Sequence, residues 1–383
     1  MKKRTRIAFI IIISITISVL SGCQINDDKI VDYSTKANEY ITSINEVTTG
    51  EKIHGNVMVV KDGLVLFAKG YGKADYDTDR DFTEDTMFLV ASNTKPITAI
   101  AIMQLQEKGL LDIKDPVSMY IPDQLRGGEI TIEHLLTHTS GVRRDPNTSL
   151  SQPISKEELL KKIISEPLIF DPGTKYQYSN CGFTLLAYII ENVSGQTYED
   201  YLDENIFTPL DMMNTGAAAS NEDLPDMASA HYISNNNISK SSLLCDVSVF
   251  LGAANIYSST KDLFLLENAL YNEKILSKET IESMYENRYG IGFGELDGHK
   301  WVGHNGLLSN YSSTVLRFPD EQLSVIVLMN VGNQDDLNFN IAQELSIMAL
   351  EEDYTFLKIG GEYQFDNDLG QIYKCKPEGI KAN

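Results

Sequence analysis

Strand-like segments occur at both ends of this chain, and helix-like segments fill most of the residues between them. Near the N-terminus, residues 55–60 and 64–70 are rich in Val, Met, Leu and Phe and are joined by Lys61-Asp62-Gly63, in which Asp-Gly is a strong hairpin signal. Strand character returns near the C-terminus, in residues 300–303, 311–318 and 322–329. This arrangement predicts one sheet built from both ends of the chain.

Helices are predicted on both sides of that sheet. Residues 27–49 and 337–350 carry apolar side chains three and four positions apart, which is the spacing of one helix face. Between about residues 86 and 290 the pattern is mostly helical, with Gly and Pro breaks. We therefore predict an α+β fold in which an antiparallel sheet is flanked by the N- and C-terminal helices. A mostly helical lobe is inserted, and the active site is expected in the cleft between the two parts.

The 383 residues are predicted to form four parts. Residues 1–22 are a signal peptide and residues 23–50 a tether with the N-terminal helix. Residues 51–350 form one large domain, and residues 351–383 are a C-terminal tail or a small hairpin.

The first residues have the pattern of an export signal. Four of the first six are Lys or Arg, and the apolar stretch of residues 7–20 is shorter than the ~20 residues of a membrane-spanning helix. Leu20-Ser21-Gly22-Cys23 resembles a lipobox, in which the cysteine takes a diacylglyceryl group. We expect a lipid on Cys23 to anchor the protein to the extracytoplasmic face of the cell membrane. An ordinary signal peptide with an incidental cysteine is the alternative.

The charge and the histidines disfavour two classes of partner. The chain has 54 acidic and 32 basic residues, so phosphate backbones and anionic lipid headgroups repel it, and we expect no nucleic acid as a partner. His134 and His138 have the i, i+4 spacing of metal ligands, but no Glu completes the zincin pattern. No metal and no cofactor are predicted.

Ser92 and Lys95 stand three residues apart at the start of a predicted helix and so share a helix face. A serine hydroxyl is a poor nucleophile until a base takes its proton, and a partly desolvated lysine can have its pKa lowered enough to serve. The helix N-terminus also offers backbone N–H groups, including that of Ser92, to a developing oxyanion. Ser92 is thus a candidate nucleophile with Lys95 in proton transfer, or else a simple helix cap.

The Ser-x-x-Lys expression recurs at Ser258 and Lys261. Here Ser259, Thr260 or both can cap the following helix, and Ser259 with Asp262 imitates a capping box. The tetrapeptide alone therefore does not identify the nucleophile.

Tyr178-Ser179-Asn180 follows a Pro172-Gly173 turn and precedes a predicted helix, so Tyr178 is expected at a loop tip. A phenol becomes a usable base near neutral pH if a cation such as Lys95 stabilises the phenolate. Tyr285-Glu286-Asn287 fits the same Tyr-x-Asn expression, but it ends a helical stretch and is interpreted as packing.

His304 stands at the end of a predicted strand in Gly303-His304-Asn305-Gly306, where Gly306 allows close backbone approach to a ligand. His304 is a candidate to orient a substrate carboxylate or carbonyl, and the backbone N–H of Leu307 is a candidate second oxyanion donor. A lone histidine can equally be solvated or structural.

Ser-x-x-Lys, Tyr-x-Asn and His-x-Gly occur in this order, and with them the chain resembles the serine β-lactamase and penicillin-binding-protein superfamily. It is similar to the branch that contains class C β-lactamases, D-alanyl-D-alanine carboxypeptidases, D-aminopeptidases and related esterases. The resemblance runs from about residue 44 to 350. It includes three further segments: residues 135–141, 172–173 and 289–293.

The resemblance implies a role for each motif residue. The Ser is acylated, the Lys and Tyr share proton transfer with the Tyr as general base, and the Asn holds the substrate amide and the Lys. Carried over by motif, these residues are Ser92, Lys95, Tyr178 and Asn180. Class C β-lactamases have Lys-Thr-Gly where this chain has His304-Asn305-Gly306, so a peptidase or esterase is implied more than penicillin hydrolysis. Asn310 stands where many relatives carry Gly.

The leading hypothesis is a cell-envelope serine hydrolase that forms an acyl-enzyme, as a D-Ala-D-Ala carboxypeptidase or related D-peptidase does. Its expected substrate is a peptidoglycan stem peptide or another small acyl compound. An esterase or a weak β-lactamase with the same residues is the alternative. A hypothesis of another class is an inactive penicillin-recognition fold used for binding or sensing, and the presence of all five motif residues argues against it.

Overall fold

The computed structural model describes residues 27–47, 53–122, 126, 128–234, 237–331, 336–351, 363–366 and 371–374. The predicted signal peptide and Cys23 lie outside the described residues. None of the helices in the described ranges combines the length and apolar character needed to cross a membrane.

The helices and strands alternate in blocks along the chain. The α-helices are α1 Asp27–Val47, α2 Thr94–Glu107, α3 Ile132–Leu136, α4 Lys156–Ile164, α5 Asn180–Ser194, α6 Tyr198–Leu202, α7 Thr260–Tyr271, α8 Lys278–Asn287 and α9 Leu337–Leu350. The strands are β1 Gly55–Lys61, β2 Leu64–Tyr71, β3 Phe88–Leu89, β4 Gly216–Ala217, β5 His231–Ser234, β6 Asn237–Lys240, β7 Ile256–Ser258, β8 Gly292–Leu296, β9 His299–Leu308, β10 Tyr311–Phe318, β11 Leu323–Met329, β12 Tyr363–Asp366 and β13 Gln371–Lys374.

The main sheet unites the two ends of the chain, as the sequence predicted. Its six antiparallel strands follow the order β2-β1-β11-β10-β9-β8, so the first hairpin pairs with the last strand of the C-terminal block. The first hairpin turns at Asp62 and Gly63, both with positive φ (51° and 75°), as a two-residue type I′ turn requires.

Two features of this sheet differ from the prediction. Strand β8 was not predicted from the sequence. Positions 292 and 294 within it and position 290 just before it are glycines, which have no side chain to show the alternation of apolar and polar residues typical of a strand. Strand β9 is longer than residues 300–303 and continues through His304 to Leu308. The histidine therefore lies within a strand rather than at its end.

The sheet is buried on both faces, and alternate residues of one strand face opposite sides. Val57 and Val59 of β1 pack in the core formed with α1 and α9, whereas Met58 and Val60 pack in the core of the helical lobe. The sheet is therefore the layer between the terminal helices and the inserted lobe, which is the predicted α+β arrangement.

Helix α2 is the central helix of the inserted lobe. Eleven of its residues are buried, from Thr94 to Leu105, and it packs against α5. A helix that is apolar all round lies inside a protein rather than on its surface. The residues at its N-terminus are consequently held on a rigid element at the boundary between the lobe and the sheet.

Candidate active site

A cleft of about 620 Å³ lies between the helical lobe and the outer part of the sheet. Ser92 lines it beside the start of α2, Tyr178 lines it from the loop before α5, and β9 lines it from His304 to Leu307. The cleft therefore contains at least one residue from each of the three sequence motifs.

Ser92 lies in a single 3₁₀ turn, Ala91–Asn93, directly before α2. The preceding Ala91 is buried and has φ of 49°, a left-handed conformation that residues with a side chain seldom adopt. Asn93 is the N-cap residue of α2, and its side chain forms no capping hydrogen bond. Ser92 is therefore not the cap of this helix, and the cap interpretation is wrong.

Lys95 is fully buried, and three oxygen atoms surround its Nζ. Nζ lies 2.8 Å from Asn180 Oδ1, 2.9 Å from the carbonyl oxygen of Ala253 and 3.3 Å from Ser92 Oγ. A neutral amine has two N–H donors and one lone pair. With both donors directed at Asn180 and Ala253, the lone pair is left for the hydroxyl of Ser92.

The surroundings of Lys95 favour this neutral form. Burial lowers the pKa of its ammonium group well below the usual range, Asp145 opposes this effect, and Arg144 adds to it. Desolvation is the dominant cause, since a charged amine loses its hydration in this position.

Asn180 is oriented by a residue that the sequence analysis did not identify. Asn180 Nδ2 donates to Asp145 Oδ1 at 2.7 Å, which leaves Oδ1 of Asn180 to accept from Lys95. Asp145 and Ala253 are far in sequence from both motifs. Their contacts with the site therefore could not be predicted from residue spacing.

The ring of Tyr178 packs against Lys95. Lys95 Nζ is 4.6 Å from the centroid of its ring, and the ring of His138 stacks on it with centroids 4.5 Å apart. Burial raises the pKa of Tyr178, and its hydrogen bond with Ser92 only partly opposes that effect. The phenol thus keeps its proton near neutral pH, which favours Lys95 over Tyr178 as the group that accepts the proton of Ser92.

His138 supports the loop that carries Tyr178. Its Nδ1 accepts the backbone N–H of Ser179 at 3.0 Å, so the neutral ring carries its proton on Nε2. His134 instead completes a capping box with Thr131 at the start of α3. Among the described residues, no group of three or more His, Cys, Asp and Glu side chains is placed to hold a metal ion.

His304 faces the cleft from β9, with its ring centroid 6.0 Å from that of Tyr178. Its Nδ1 lies 2.5 Å from the carbonyl oxygen of Asn305, an acceptor, so Nδ1 carries the proton. Burial, with a smaller effect from Lys95, lowers the pKa of His304 to about 3. The neutral ring therefore presents the lone pair of Nε2, which accepts a hydrogen bond and does not suit a carboxylate.

Gly306 brings β9 against the turn that carries the nucleophile. A Cβ atom at this position would lie 2.4 Å from the carbonyl oxygen of Val90 and 3.0 Å from Cβ of Ala91. The glycine therefore lets β9 approach the backbone of the Val90–Ala91 segment, rather than the backbone of a ligand. The contact sets the distance between Ser92 and the neighbouring Leu307, the two predicted oxyanion donors.

The outer edge of β9 is open along the cleft. In the part of the chain that the structure describes, β8 pairs with β9 from His299 only as far as Gly303, whereas β10 pairs with its other edge as far as Leu308. Among the described residues, no strand pairs with the outer edge of β9 beyond Gly303, and the side chain of Leu307 is 52% exposed.

The turn after β9 explains Asn310. Ser309 and Asn310 have φ of 50° and 69°, as the two central residues of a type I′ hairpin do. Asn tolerates the left-handed conformation better than most residues with a side chain. Asn310 can therefore occupy this turn position, at which many relatives carry glycine.

The second Ser-x-x-Lys copy does not join this site, and of Tyr285 and Asn287 in the second Tyr-x-Asn copy only Asn287 lines the cleft. Tyr285 lies near Arg317, whose guanidinium carbon is 6.0 Å from its ring centroid, while Ser258 is buried at the end of β7. Both assignments agree with the packing roles predicted from the sequence. Two arginines that the sequence analysis did not identify, Arg144 and Arg288, do line the cleft.

Comparison with known proteins supports one family. A family model described as Beta-lactamase matches residues 45–346. The putative penicillin-binding protein PbpX of Bacillus subtilis is 31% identical over 317 residues, which cover 81% of this chain and 77% of that protein. Penicillin-binding protein 4* of the same organism is 29% identical over 315 residues, covering 74% and 70%.

Two solved structures show the same fold. The crystal structure of FmtA from Staphylococcus aureus has a TM-score of 0.70 at 22% identity and covers 86% of this chain and 92% of its own. The D-amino acid amidase from Ochrobactrum anthropi SV3, complexed with L-phenylalanine amide, has a TM-score of 0.70 at 19% identity and covers 84% and 96%.

Proposed function

The chain belongs to the beta-lactamase family and is a penicillin-binding-protein-like serine hydrolase, and we propose that it hydrolyses peptides ending in D-alanyl-D-alanine or a related D-amino acid. Ser92 is the nucleophile and Lys95 the base. The observation that carries this proposal is the environment of Lys95, whose two N–H donors are directed at Asn180 and Ala253 while its lone pair is left for Ser92.

Acylation begins when Ser92 Oγ attacks the scissile carbonyl carbon and its proton passes to Lys95 Nζ. The carbonyl oxygen becomes an oxyanion, which the backbone N–H groups of Ser92 and Leu307 stabilise. Since these donors belong to two elements in contact through Gly306, little rearrangement is needed as the charge develops.

Collapse of this intermediate releases the C-terminal D-amino acid. The leaving nitrogen takes a proton from Tyr178, whose phenol is neutral and hydrogen-bonded to Ser92, and Lys95 returns the proton to Tyr178. The acyl-enzyme then reacts with water through the same groups in reverse order. Tyr178 is thus a relay in this scheme.

Substrate binding uses the open edge of β9. An extended peptide can add to an unpaired strand edge through main-chain hydrogen bonds. Neutral His304 accepts a hydrogen bond from a substrate N–H, and the second N–H of the Asn180 amide, beyond the one donated to Asp145, is the donor proposed for a substrate carbonyl. An amide substrate supplies both kinds of partner, which favours a peptide over a simple ester.

The site of action follows from the N-terminal sequence. We propose that a lipid on Cys23 holds the protein at the extracytoplasmic face of the membrane. The cleft is then beside the cell wall, where stem peptides end in D-amino acids.

The test incubates the full chain, purified in detergent, with acetyl-lysyl-D-alanyl-D-alanine, a p-nitrophenyl ester and a fluorescent penicillin. Free D-alanine and an acyl adduct located on Ser92 by mass spectrometry are the expected results. Ester turnover without D-alanine release would make the protein an esterase, and rapid penicillin turnover would make it a β-lactamase. The absence of any adduct would reject the enzymatic proposal in favour of a binding role.

A further inference from the structure

We propose that Arg288, together with Arg144, which also lines the cleft, forms an anion-binding subsite that selects peptides with an acidic side chain. The proposal deepens the proposed function and rests on it for the location of the peptide. It concerns a carboxylate other than the C-terminal one.

Arg288 is held in the cleft by an unusual backbone conformation. It follows the last residue of α8 with φ of 61° and ψ of 44°, the left-handed conformation in which helix ends favour Gly or Asn. Arginine is less stable than glycine in this backbone conformation, which indicates a role for its side chain. Its guanidinium carbon lies 3.5 Å from the ring centroid of Phe293, and both residues line the cleft.

Arg288 differs from the other arginines that the structure describes. Each of the others lies within 4 Å of a carboxylate, namely Arg80, Arg126, Arg143, Arg144 and Arg317. No carboxylate of the described residues forms an ion pair with Arg288. Arg288 is exposed, and its side chain lines the cleft.

Arg144 contributes a second guanidinium from the helical lobe. Its guanidinium carbon lies 5.5 Å from the ring centroid of Tyr178, and its side chain is 47% exposed. Its contact with Asp145 is long, at 3.6 Å between Nε and Oδ2. Arg144 therefore brings a second positive charge to the wall of the cleft.

The other charged or titratable residues described at the cleft are not placed to bind an anion, so the two arginines are the groups that can donate hydrogen bonds to one. Lys95 is inaccessible, and the Nδ1 proton of His304 is directed at its own backbone. Among the described residues that line the cleft, Arg144 and Arg288 carry guanidinium groups and Asp336 carries a carboxylate that opposes anions. The planar guanidinium fork suits a carboxylate better than an ammonium does.

The test separates selection from catalysis by measuring binding. Full-length Ser92→Ala is titrated with acetyl-glutamyl-D-alanyl-D-alanine and with its glutaminyl counterpart, which share the same terminal carboxylate and differ by one charge. We expect the glutamyl peptide to bind about tenfold more tightly, the size of one charge-assisted hydrogen bond. The preference should shrink as salt is raised.

Variants then assign the preference to the arginines. Adding Arg288→Gln should remove most of it and adding Arg288→Glu should reverse it, while glutaminyl binding stays constant and shows that the cleft is intact. Arg144→Gln should have a smaller effect in the same direction. Arg126→Gln is the matched control, because Arg126 pairs with Glu129 and Asp171 and does not line the cleft.

Equal affinity for the two peptides, or a preference that survives Arg288→Gln, would overturn the subsite. Failure of the proposed function has a different signature, since wild-type protein would then release no D-alanine from either peptide even where the charge preference in binding is present.

Discussion

The two Ser-x-x-Lys segments of this protein, residues 92–95 and 258–261, fit the same four-residue pattern but differ in the burial of their serine and lysine side chains. In the first, Ser92 is partly exposed to the cleft and Lys95 is fully buried. In the second the exposure is reversed, because Ser258 is fully buried and the side chain of Lys261 is 44% exposed. Only the first segment combines an accessible hydroxyl with a desolvated amine.

The two lysines consequently differ in protonation. Burial lowers the pKa of Lys95, whereas hydrogen bonding with Asp85 raises the pKa of Lys261. Lys261 lies 3.1 Å from Asp85 in a solvent-exposed ion pair that keeps it charged. The comparison indicates that this sequence pattern gives a lysine with a lowered pKa only where tertiary packing buries its amine.

The two helix starts differ as well. Ser259 caps α7 by accepting the backbone N–H of Asp262 at 3.2 Å, as the sequence predicted. Helix α2 has no such side-chain cap. Ser259 therefore caps α7, whereas Ser92 caps no helix and its side chain faces the cleft.

Exchanging the two serines for alanine should give the largest contrast. Ser92→Ala removes the nucleophile and should lower peptide turnover at least roughly a thousandfold, with no acyl adduct by intact-mass measurement. Ser258→Ala should leave turnover near wild type, because the hydrogen bonds of Ser258 Oγ, to Thr215 Oγ1 at 2.7 Å and to the carbonyl oxygen of Ser259 at 3.4 Å, lie outside the cleft. Loss of the adduct in Ser258→Ala but not in Ser92→Ala would reverse the assignment.

Removing the two lysine amines should give the next largest contrast. Lys95→Gln should lower kcat/KM by about 10²–10⁴, the usual contribution of a positioned base. Lys261→Gln should change it less than about twofold, since only an exposed ion pair is lost. Single-turnover acylation rates measure this, and comparable losses in the two variants would contradict the burial argument.

The pH dependence should report the shifted pKa of Lys95. Its neutral form is the active one, so kcat/KM should fall about tenfold per pH unit below that pKa and level off above it. Because burial lowers the pKa, the plateau should begin well below pH 10. His304, with a pKa near 3, should not contribute near neutral pH.

The control for this profile is Lys261→Gln, which should superimpose on wild type. A plateau that begins only above pH 10 would show that Lys95 is charged in the free enzyme, and Tyr178 would then be the better candidate for the base.

The smallest expected effect concerns the cap of α7. Ser259→Ala should lower the free energy of unfolding by about 1 kcal/mol, because the N–H of Asp262 loses its partner. Chemical denaturation measures this change, and kcat/KM should be unaltered. A large loss of activity with intact stability would mean that the second segment acts in catalysis after all.

Much of the architecture follows from local pattern. Hydrophobic periodicity predicted α1, α9 and the strands at both ends, and Asp62-Gly63 predicted the tight turn between β1 and β2. Such signals reside within a few consecutive residues, so they can be recognised without knowledge of the fold. Strand β8 was missed because its glycines carry no such signal.

The order of the three motifs likewise identified Ser92, Lys95, Tyr178, Asn180 and His304, and the structure places all five around one cleft. Their catalytic roles remain predictions. The supporting residues Asp145, Ala253 and Arg288 were not found, since each reaches the site from a distant part of the chain, and His138 was noted only for its spacing from His134 and within a resembling segment.

The sequence by itself determined which groups are present and which segments become helices and strands, because those properties depend on residue type and short-range spacing. The tertiary structure decided which lysine loses its water. Protonation depends on solvent and on charges brought close by folding, and the lysines of two segments with the same local pattern therefore have pKa values shifted in opposite directions.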